Sequence, residues 1–136
     1  MKQVFIFLLT VLFLQAGAQK RGFTLQLGNT VTYVKGGEAV VSGSTALTPR
    51  DTLSLILSNK KPFDSPSILF GVFKITNGQK QHLSFDAIQI KPGTKVVRNR
   101  FAATDLIRRY GYGDFLLQFT HGKSVLAKGS FSIKTK

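Results

Sequence analysis

Apolar and polar residues alternate with a period of two along most of this chain. Phe23, Leu25 and Leu27 are separated by Thr24 and Gln26. The same alternation recurs in the segments 53–58, 115–120 and 130–134. Because successive side chains of a β-strand point to opposite faces, each segment predicts a strand with one apolar face toward a core.

Turn-forming residues separate these segments. Gly36-Gly37, Asn77-Gly78, Pro92-Gly93 and His121-Gly122-Lys123 each lie between two runs with strand character. Asn-Gly predicts a hairpin turn, since both residues tolerate a positive φ angle. The connection 59–67 contains two prolines and predicts a loop that crosses from one sheet layer to another.

Two segments depart from simple alternation. Residues 68–73 are apolar on both faces, which is typical of a central strand that is buried on both sides or covered by a partner. Between Leu83 and Ile90 the apolar phase shifts by one residue. Such a shift exchanges the two faces of a strand, so it predicts a β-bulge or a strand break near Ala87.

Two short segments have local signals of other kinds. Residues 102–110 predict a single helical turn, with Thr104 as its N-cap and Gly111 as its end. The segment 49–52 predicts a turn that leads into a strand, in which Asp51 accepts a local backbone hydrogen bond.

The segment 110–117 resembles the start of the penultimate strand of an immunoglobulin-like sandwich. In that fold a small residue precedes an aromatic one, and an apolar core residue follows; Gly113, Phe115 and Leu117 take these places. The segment departs from the pattern because Phe115 has no hydroxyl group, Gly111 is not an acid, and the chain has no cysteine or tryptophan. The strand and turn pattern predicts an all-β fold, an antiparallel β-sandwich of about seven to eight strands, and the resemblance implies that this sandwich is immunoglobulin-like. The resemblance implies no function.

The first eighteen residues have the layout of a secretory signal. Lys2 provides a positive start, residues 4–14 are almost entirely apolar, and Ala16-Gly17-Ala18 suits a signal peptidase. An uncleaved anchor or a buried helix is the alternative, although the apolar run is short for a membrane span. We therefore expect a signal peptide at 1–18 and a single domain at 19–136, in the periplasm or secreted.

Composition narrows the class of protein further. The 136 residues include no cysteine, which excludes disulfides, thiolate metal sites and a cysteine nucleophile. Small exported domains of animals usually depend on disulfides, so an exported chain without them indicates a bacterial envelope protein. The net charge of +13 favours anionic partners.

A basic cluster is the main candidate site. Its members, which we expect to bind an anion, are Lys95, Arg98, Arg100, Arg108 and Arg109. On a strand, Arg98 and Arg100 share one face at a separation of about 7 Å, so their guanidinium groups suit successive phosphates or sulfates. The alternative, which we favour because pairs of surface cations are common on strands, is that these arginines protect an exposed strand against edge pairing.

Two glycine-flanked tyrosines form a second candidate. Tyr110 and Tyr112 are candidates for stacking on sugar rings or bases. The alternative, which we favour, is a corner whose tyrosines pack across the end of the sandwich.

Catalytic and metal-binding patterns are weak. His82 and His121 fall in or beside predicted turns, and the acidic residues are scattered without a paired spacing. We therefore predict no catalytic residue, no metal ligand and no cofactor, and we keep a small secreted hydrolase only as a minor alternative.

These observations predict a non-catalytic binding or assembly module of the bacterial cell envelope. It would present a basic face or a sheet edge to an envelope protein, with Arg98 and Arg100 steering an anionic partner. The alternative is a protein that binds a polyanion such as lipopolysaccharide or an acidic glycan. A membrane surface is a further candidate partner, whereas nucleic acid is not expected.

Overall fold

The computed structural model describes residues 22–135, of which 62% lie in strands. Ten strands and one short helix lie within this range. They are β1 (Phe23–Gly28), β2 (Thr30–Tyr33), β3 (Ala39–Ser42), β4 (Ala46–Leu47), β5 (Thr52–Asn59), β6 (Ser67–Thr76), β7 (Gln79–Gln89), β8 (Val96–Ala102), α1 (Ala103–Tyr110), β9 (Gly113–His121) and β10 (Ser124–Ile133). The predicted predominance of β structure is confirmed, although the prediction of seven to eight strands was too low. The two-residue β4 is too short to show alternation.

The described strands form three sheets, with the orders β1-β5-β8, β4-β10-β9-β6-β7 and β2-β3. Six of the seven pairings are antiparallel. The exception is the short parallel pair in which Ala46 and Leu47 lie beside Ser132 and Ile133. The prediction of a purely antiparallel arrangement is therefore wrong at this pair. Parallel neighbours need a long connection, and the strands between β4 and β10 provide it.

The three-stranded and five-stranded sheets pack across one hydrophobic core. Leu53, Leu55 and Leu57 of β5 point into it and are at most 1% exposed. The rings of Phe70 in β6 and Phe101 in β8 stack with their centroids 5.6 Å apart, which joins the two sheets directly. The other members from β4, β6, β9 and β10 are Leu47, Ile68, Val72, Phe115, Leu117, Phe119, Leu126, Ala127, Phe131 and Ile133.

The β2–β3 hairpin covers part of the outer face of the three-stranded sheet. The N–H group of Val41 donates a hydrogen bond of 2.7 Å to Oε1 of Gln26. Gly28 allows the backbone of Ser42 to approach β1 closely, because a Cβ atom at this position would lie 2.0 Å from the carbonyl oxygen of Ser42. Both strands of the hairpin also contact β5, whose Ile56 faces away from the main core and is nevertheless buried.

Several connections have the predicted form. Asn77 and Gly78 join β6 to β7 with φ angles of 52° and 75°, as expected for a tight hairpin turn. The segment 59–67 crosses from the three-stranded to the five-stranded sheet. In β9, the penultimate strand, Phe115 and Leu117 are buried as predicted.

The irregularity in β7 lies at a different place from the one predicted. The register of β7 against β6 skips one residue, Leu83, between His82 and Ser84. Pairing is regular at Ala87, so the predicted break near that residue is wrong. Phe85 lies on the outer face and is 50% exposed, so its apolar character does not mark the core face as the pattern implied.

The helix is longer than predicted and begins without a side-chain cap. α1 begins at Ala103, and the predicted N-cap Thr104 lies inside the helix, so that prediction is wrong. The N–H group of Ala103 instead donates to the carbonyl oxygen of Asp51 at 2.9 Å, which satisfies one free donor of the first turn. Gly111 ends the helix as predicted. Its φ angle is 81°, and its N–H group donates a hydrogen bond of 2.7 Å to the carbonyl oxygen of Ile107.

Asp51 organises the turn that precedes β5. Its carboxylate accepts hydrogen bonds from the Thr48 N–H at 2.8 Å and from the Thr48 hydroxyl at 3.2 Å, as well as a longer one from Asn29. The backbone hydrogen bond from Thr48 is the main cause that holds the pKa of Asp51 below its ordinary value, although partial burial acts in the opposite direction. The predicted local backbone hydrogen bond to Asp51 is confirmed.

We expect the Asp51→Asn substitution to make stability less dependent on pH. A depressed pKa in the folded state means that the Asp51 carboxylate stabilises the fold above its unfolded pKa of about 3.9, and that this contribution is lost as pH falls through the folded pKa. At neutral pH the variant should lose about 1 kcal/mol of unfolding free energy, because charge-assisted hydrogen bonds are replaced by neutral ones. Denaturant unfolding at pH 7, 5 and 3 should show that the difference in unfolding free energy between parent and variant becomes smaller below about pH 4. A difference that stays constant with pH would contradict this prediction.

The predicted signal peptide, 1–18, lies outside the described residues. Within residues 22–135, no helix is both long enough and apolar enough to span a membrane.

Candidate anion-binding site

β8 places two of the predicted cations on one face of an edge strand. It forms one end of the β1-β5-β8 sheet, where it pairs with β5 alone. Because Leu53 and Leu57 point into the core, their partners Phe101 and Val97 point the same way. Arg98 and Arg100 alternate with these residues, so they lie on the outer face, and both are exposed.

α1 follows β8 directly and turns the remaining arginines toward the end of that strand. Its buried residues are Ala103 and Leu106, which hold the helix against the body of the protein. Arg108 and Arg109 lie in its last turn, where their positive charges interact favourably with the carbonyl end of the helix. The helix therefore has a structural reason to carry both charges, independent of any ligand.

An open cleft of about 370 Å³ lies between β8 and α1. The charged residues that line it are Arg100, Arg108, Arg109 and Asp105. Three positive charges and one negative charge give the cleft a net charge of +2 at neutral pH. The remaining lining residues are Phe101, Ala102 and Leu106.

One ion pair lies within this lining. Arg108 forms a salt bridge with Asp105, one helical turn earlier, and the two side chains are 74% and 60% exposed. An exposed pair of this kind contributes little to stability, so an incoming anion can compete for Arg108 at small cost. Arg100 and Arg109 have no carboxylate partner among the described residues.

The structure brings together only part of the predicted cluster. Arg100, Arg108 and Arg109 line the cleft, whereas Arg98 lies outside it, two residues back along the same face of β8. Lys95 precedes the strand, and its carbonyl oxygen accepts a hydrogen bond of 2.9 Å from the N–H of Asn59. The cleft and Arg98 together form what we call the arginine edge, defined as Arg98, Arg100, Arg108 and Arg109.

The two predicted tyrosines have different surroundings. The Tyr110 hydroxyl is hydrogen-bonded to the Ser84 hydroxyl at 2.8 Å, and its ring packs near Phe115 with a centroid distance of 6.3 Å. Arg109 lies over the same ring at 5.9 Å. Tyr112 is 42% exposed. Tyr110 thus has the surroundings of a corner residue, and the stacking prediction now depends on Tyr112.

The histidines lie on exposed parts of the five-stranded sheet. His82 belongs to β7 and pairs with Phe73 in β6, while His121 ends β9 at the far end of that sheet. The His82 ring also contacts the Phe85 ring, with centroids 4.0 Å apart and the two planes tilted by 36°. The described residues contain no group of three or more side chains suited to a metal ion.

Phe73, His82 and Phe85 form an aromatic patch on the outer face of the five-stranded sheet, which the sequence pattern did not predict. Lys80 lies over the Phe73 ring at 4.8 Å, and Phe85 lies close to Gly71, where a Cβ atom would contact its ring at 2.6 Å. The pattern assigned Phe85 to the core face, because the apolar phase shift predicts the irregularity four residues later than it lies. The patch is mainly aromatic, and its polar members are His82 and Lys80.

The chain matches no protein-family model and no curated protein.

Proposed function

We propose that this chain is a non-catalytic binding module of the bacterial cell envelope, and that its cleft holds an anionic group of an envelope partner. The observation that carries the proposal is the convergence of Arg100, Arg108 and Arg109 on one open cleft. Guanidinium groups bind carboxylate, sulfate and phosphate oxygens in a bidentate manner, so all three chemistries suit the cleft. The secretory pattern of residues 1–18 supports a periplasmic or secreted location.

We also propose an immunoglobulin-like topology for the fold. Counting strands as A, B, C, C′, E, F and G assigns them in order to β1, β5, β6, β7, β8, β9 and β10. The order β1-β5-β8 then corresponds to A-B-E, and β10-β9-β6-β7 to G-F-C-C′. The β2–β3 hairpin and β4 are additions between A and B. This topology supports a scaffold that presents loops and edges, and it does not by itself imply a ligand.

Neutralising the cleft should weaken the binding of anionic polymers. We expect Arg100→Gln with Arg109→Gln to lower affinity for heparin and lipopolysaccharide about tenfold at low salt. The change should also reduce the slope of log affinity against log salt concentration by about two, because two ion contacts are lost. Binding would be measured by calorimetry at low and near-physiological salt.

The matched control is Lys123→Gln with Lys128→Gln, which removes the same charge from exposed positions in and beside β10. Affinity within about twofold of the parent for this control would show that position matters rather than net charge. Equal losses in both double variants would overturn the cleft as a site.

A further inference from the structure

The hydrogen-bond pattern of β8 shows which of its residues direct main-chain groups to the free edge. Beyond one end of the paired segment, the N–H of Asn59 donates to the carbonyl of Lys95 at 2.9 Å. Beyond the other end, the N–H of Ala103 donates to the carbonyl of Asp51 at 2.9 Å. Both bonds join directly opposed residues in one continuous antiparallel register. Since hydrogen-bonded pairs alternate along such a ladder, the odd-numbered residues of β8 face β5 and the even-numbered ones face outward.

Arg98 and Arg100 therefore present both their side chains and their main chains to a partner. Their N–H and C=O groups point to the free edge, and their side chains lie on the exposed outer face. The N–H of Arg100 donates to Oδ1 of the neighbouring Asn99 at 2.9 Å, an exposed bond that an incoming carbonyl can replace. Among the described residues, no strand pairs with this side of β8.

We infer that the partner is an extended acidic polypeptide segment that adds to β8 as an antiparallel strand. This inference rests on the proposed function, because it assigns the anionic group to acidic side chains of that segment. Residues directly opposite each other in antiparallel strands share a face, so acidic residues opposite Arg98 and Arg100 meet the guanidinium groups. The main chain supplies affinity and the alternate acidic side chains supply specificity.

The cleft provides a third position at which an acidic residue of the partner strand meets cationic side chains. The next outward-facing residue of β8 is Ala102, which lines the cleft and has a small side chain. An acidic residue opposite Ala102 reaches toward Arg108 and Arg109 across that space. Three acidic residues at alternate positions thus correspond to Arg98, Arg100 and the cleft.

The arginines also disfavour pairing with a second copy of the chain. A two-fold antiparallel pairing of β8 about Asn99 places arginine opposite arginine on both sides, and directly opposed like charges are destabilising. Edge protection and partner selection are thus one property of Arg98 and Arg100: the charges repel an identical strand and attract an acidic one.

The test uses a capped octapeptide of alternating valine and glutamate and two N-methylated forms of it. In the proposed register the glutamate N–H groups bond to β8, whereas the valine N–H groups point away. We expect N-methylation of the two glutamates opposite Arg98 and Arg100 to weaken binding roughly 30-fold, because each loses one hydrogen bond to β8, and N-methylation of two valines to change it less than about threefold. Both peptides have the same composition and charge.

The outcomes separate the two proposals. Equal binding of both methylated peptides would overturn strand addition and leave a charge-only site, which suits a polyanion. Failure of the parent octapeptide to bind, together with retained cleft-dependent heparin binding, would overturn the inference and leave the proposed function standing. If the variant Arg100→Gln with Arg109→Gln binds both heparin and the octapeptide as tightly as the parent does, the proposed function itself is contradicted.

Discussion

Reversing two charges on β8, by Arg98→Glu with Arg100→Glu, is expected to lower affinity for the alternating Val/Glu octapeptide about 100-fold. Two attractive contacts become two repulsive ones, and directly opposed like charges cost several kcal/mol in unfavourable cases. Both side chains are exposed on the outer face, so the substitutions should leave the fold intact. Calorimetric titration of the purified protein measures the effect, and circular dichroism checks the fold.

Charge reversal elsewhere provides the control. Lys123→Glu with Lys128→Glu changes the net charge by the same amount on the other sheet. This variant should bind within about threefold of the parent, since neither lysine lies on β8 or lines the cleft and exposed charges are screened by salt. A comparable loss in both variants would mean that the arginines act only through the overall positive charge.

Replacing Phe119 by alanine is expected to lower the free energy of unfolding by about 3–5 kcal/mol, through lost burial and the cavity that remains. Phe119 lies on β9 at the centre of the core, is 0% exposed, and contacts the Phe70 ring with a centroid distance of 5.1 Å. A domain of this size has a total stability of about 5–15 kcal/mol, so the change removes a large part of it. Denaturant unfolding measures the loss.

Tyr33→Ala removes an aromatic ring from the surface and is the matched control. Tyr33 is 71% exposed in the β2–β3 hairpin, and its loss should change stability by less than about 0.5 kcal/mol. A loss below about 1.5 kcal/mol for Phe119→Ala would contradict the described packing of the two sheets around this ring.

The strands and their turns were predictable because their signals are local. Alternation along 53–58 and 115–120 reports directly which side chains face the core, and Asn77-Gly78 has the backbone freedom that its hairpin requires. The opposite faces of Phe101 and Arg100 follow from the same rule. For these features, neighbouring residues contain the necessary information.

Other features depend on residues far apart in the sequence. The first turn of α1 bonds to the carbonyl of Asp51, so no side-chain cap precedes it and Thr104 gave a misleading signal. The bulge at Leu83 and the parallel pairing of β4 depend on strand neighbours that alternation does not identify.

The candidate site was predictable only in part for the same reason. The pattern placed Arg98 and Arg100 on one face, and the cluster of cations was visible in the composition of residues 91–109. The identity of β8 as an edge strand follows from sheet order, and the cleft follows from the return of α1 toward β8. Both require the folded arrangement.

Amide hydrogen exchange at Arg98 tests the central claim most directly. In the free protein the Arg98 N–H faces the open edge and should exchange rapidly, whereas the amides of Val97 and Asn99 face β5 and should be protected. Saturation with the Val/Glu octapeptide should slow exchange at Arg98 by at least about tenfold and leave Val97 and Asn99 protected as before. Unchanged rapid exchange at Arg98 in the saturated complex would contradict strand addition at this edge.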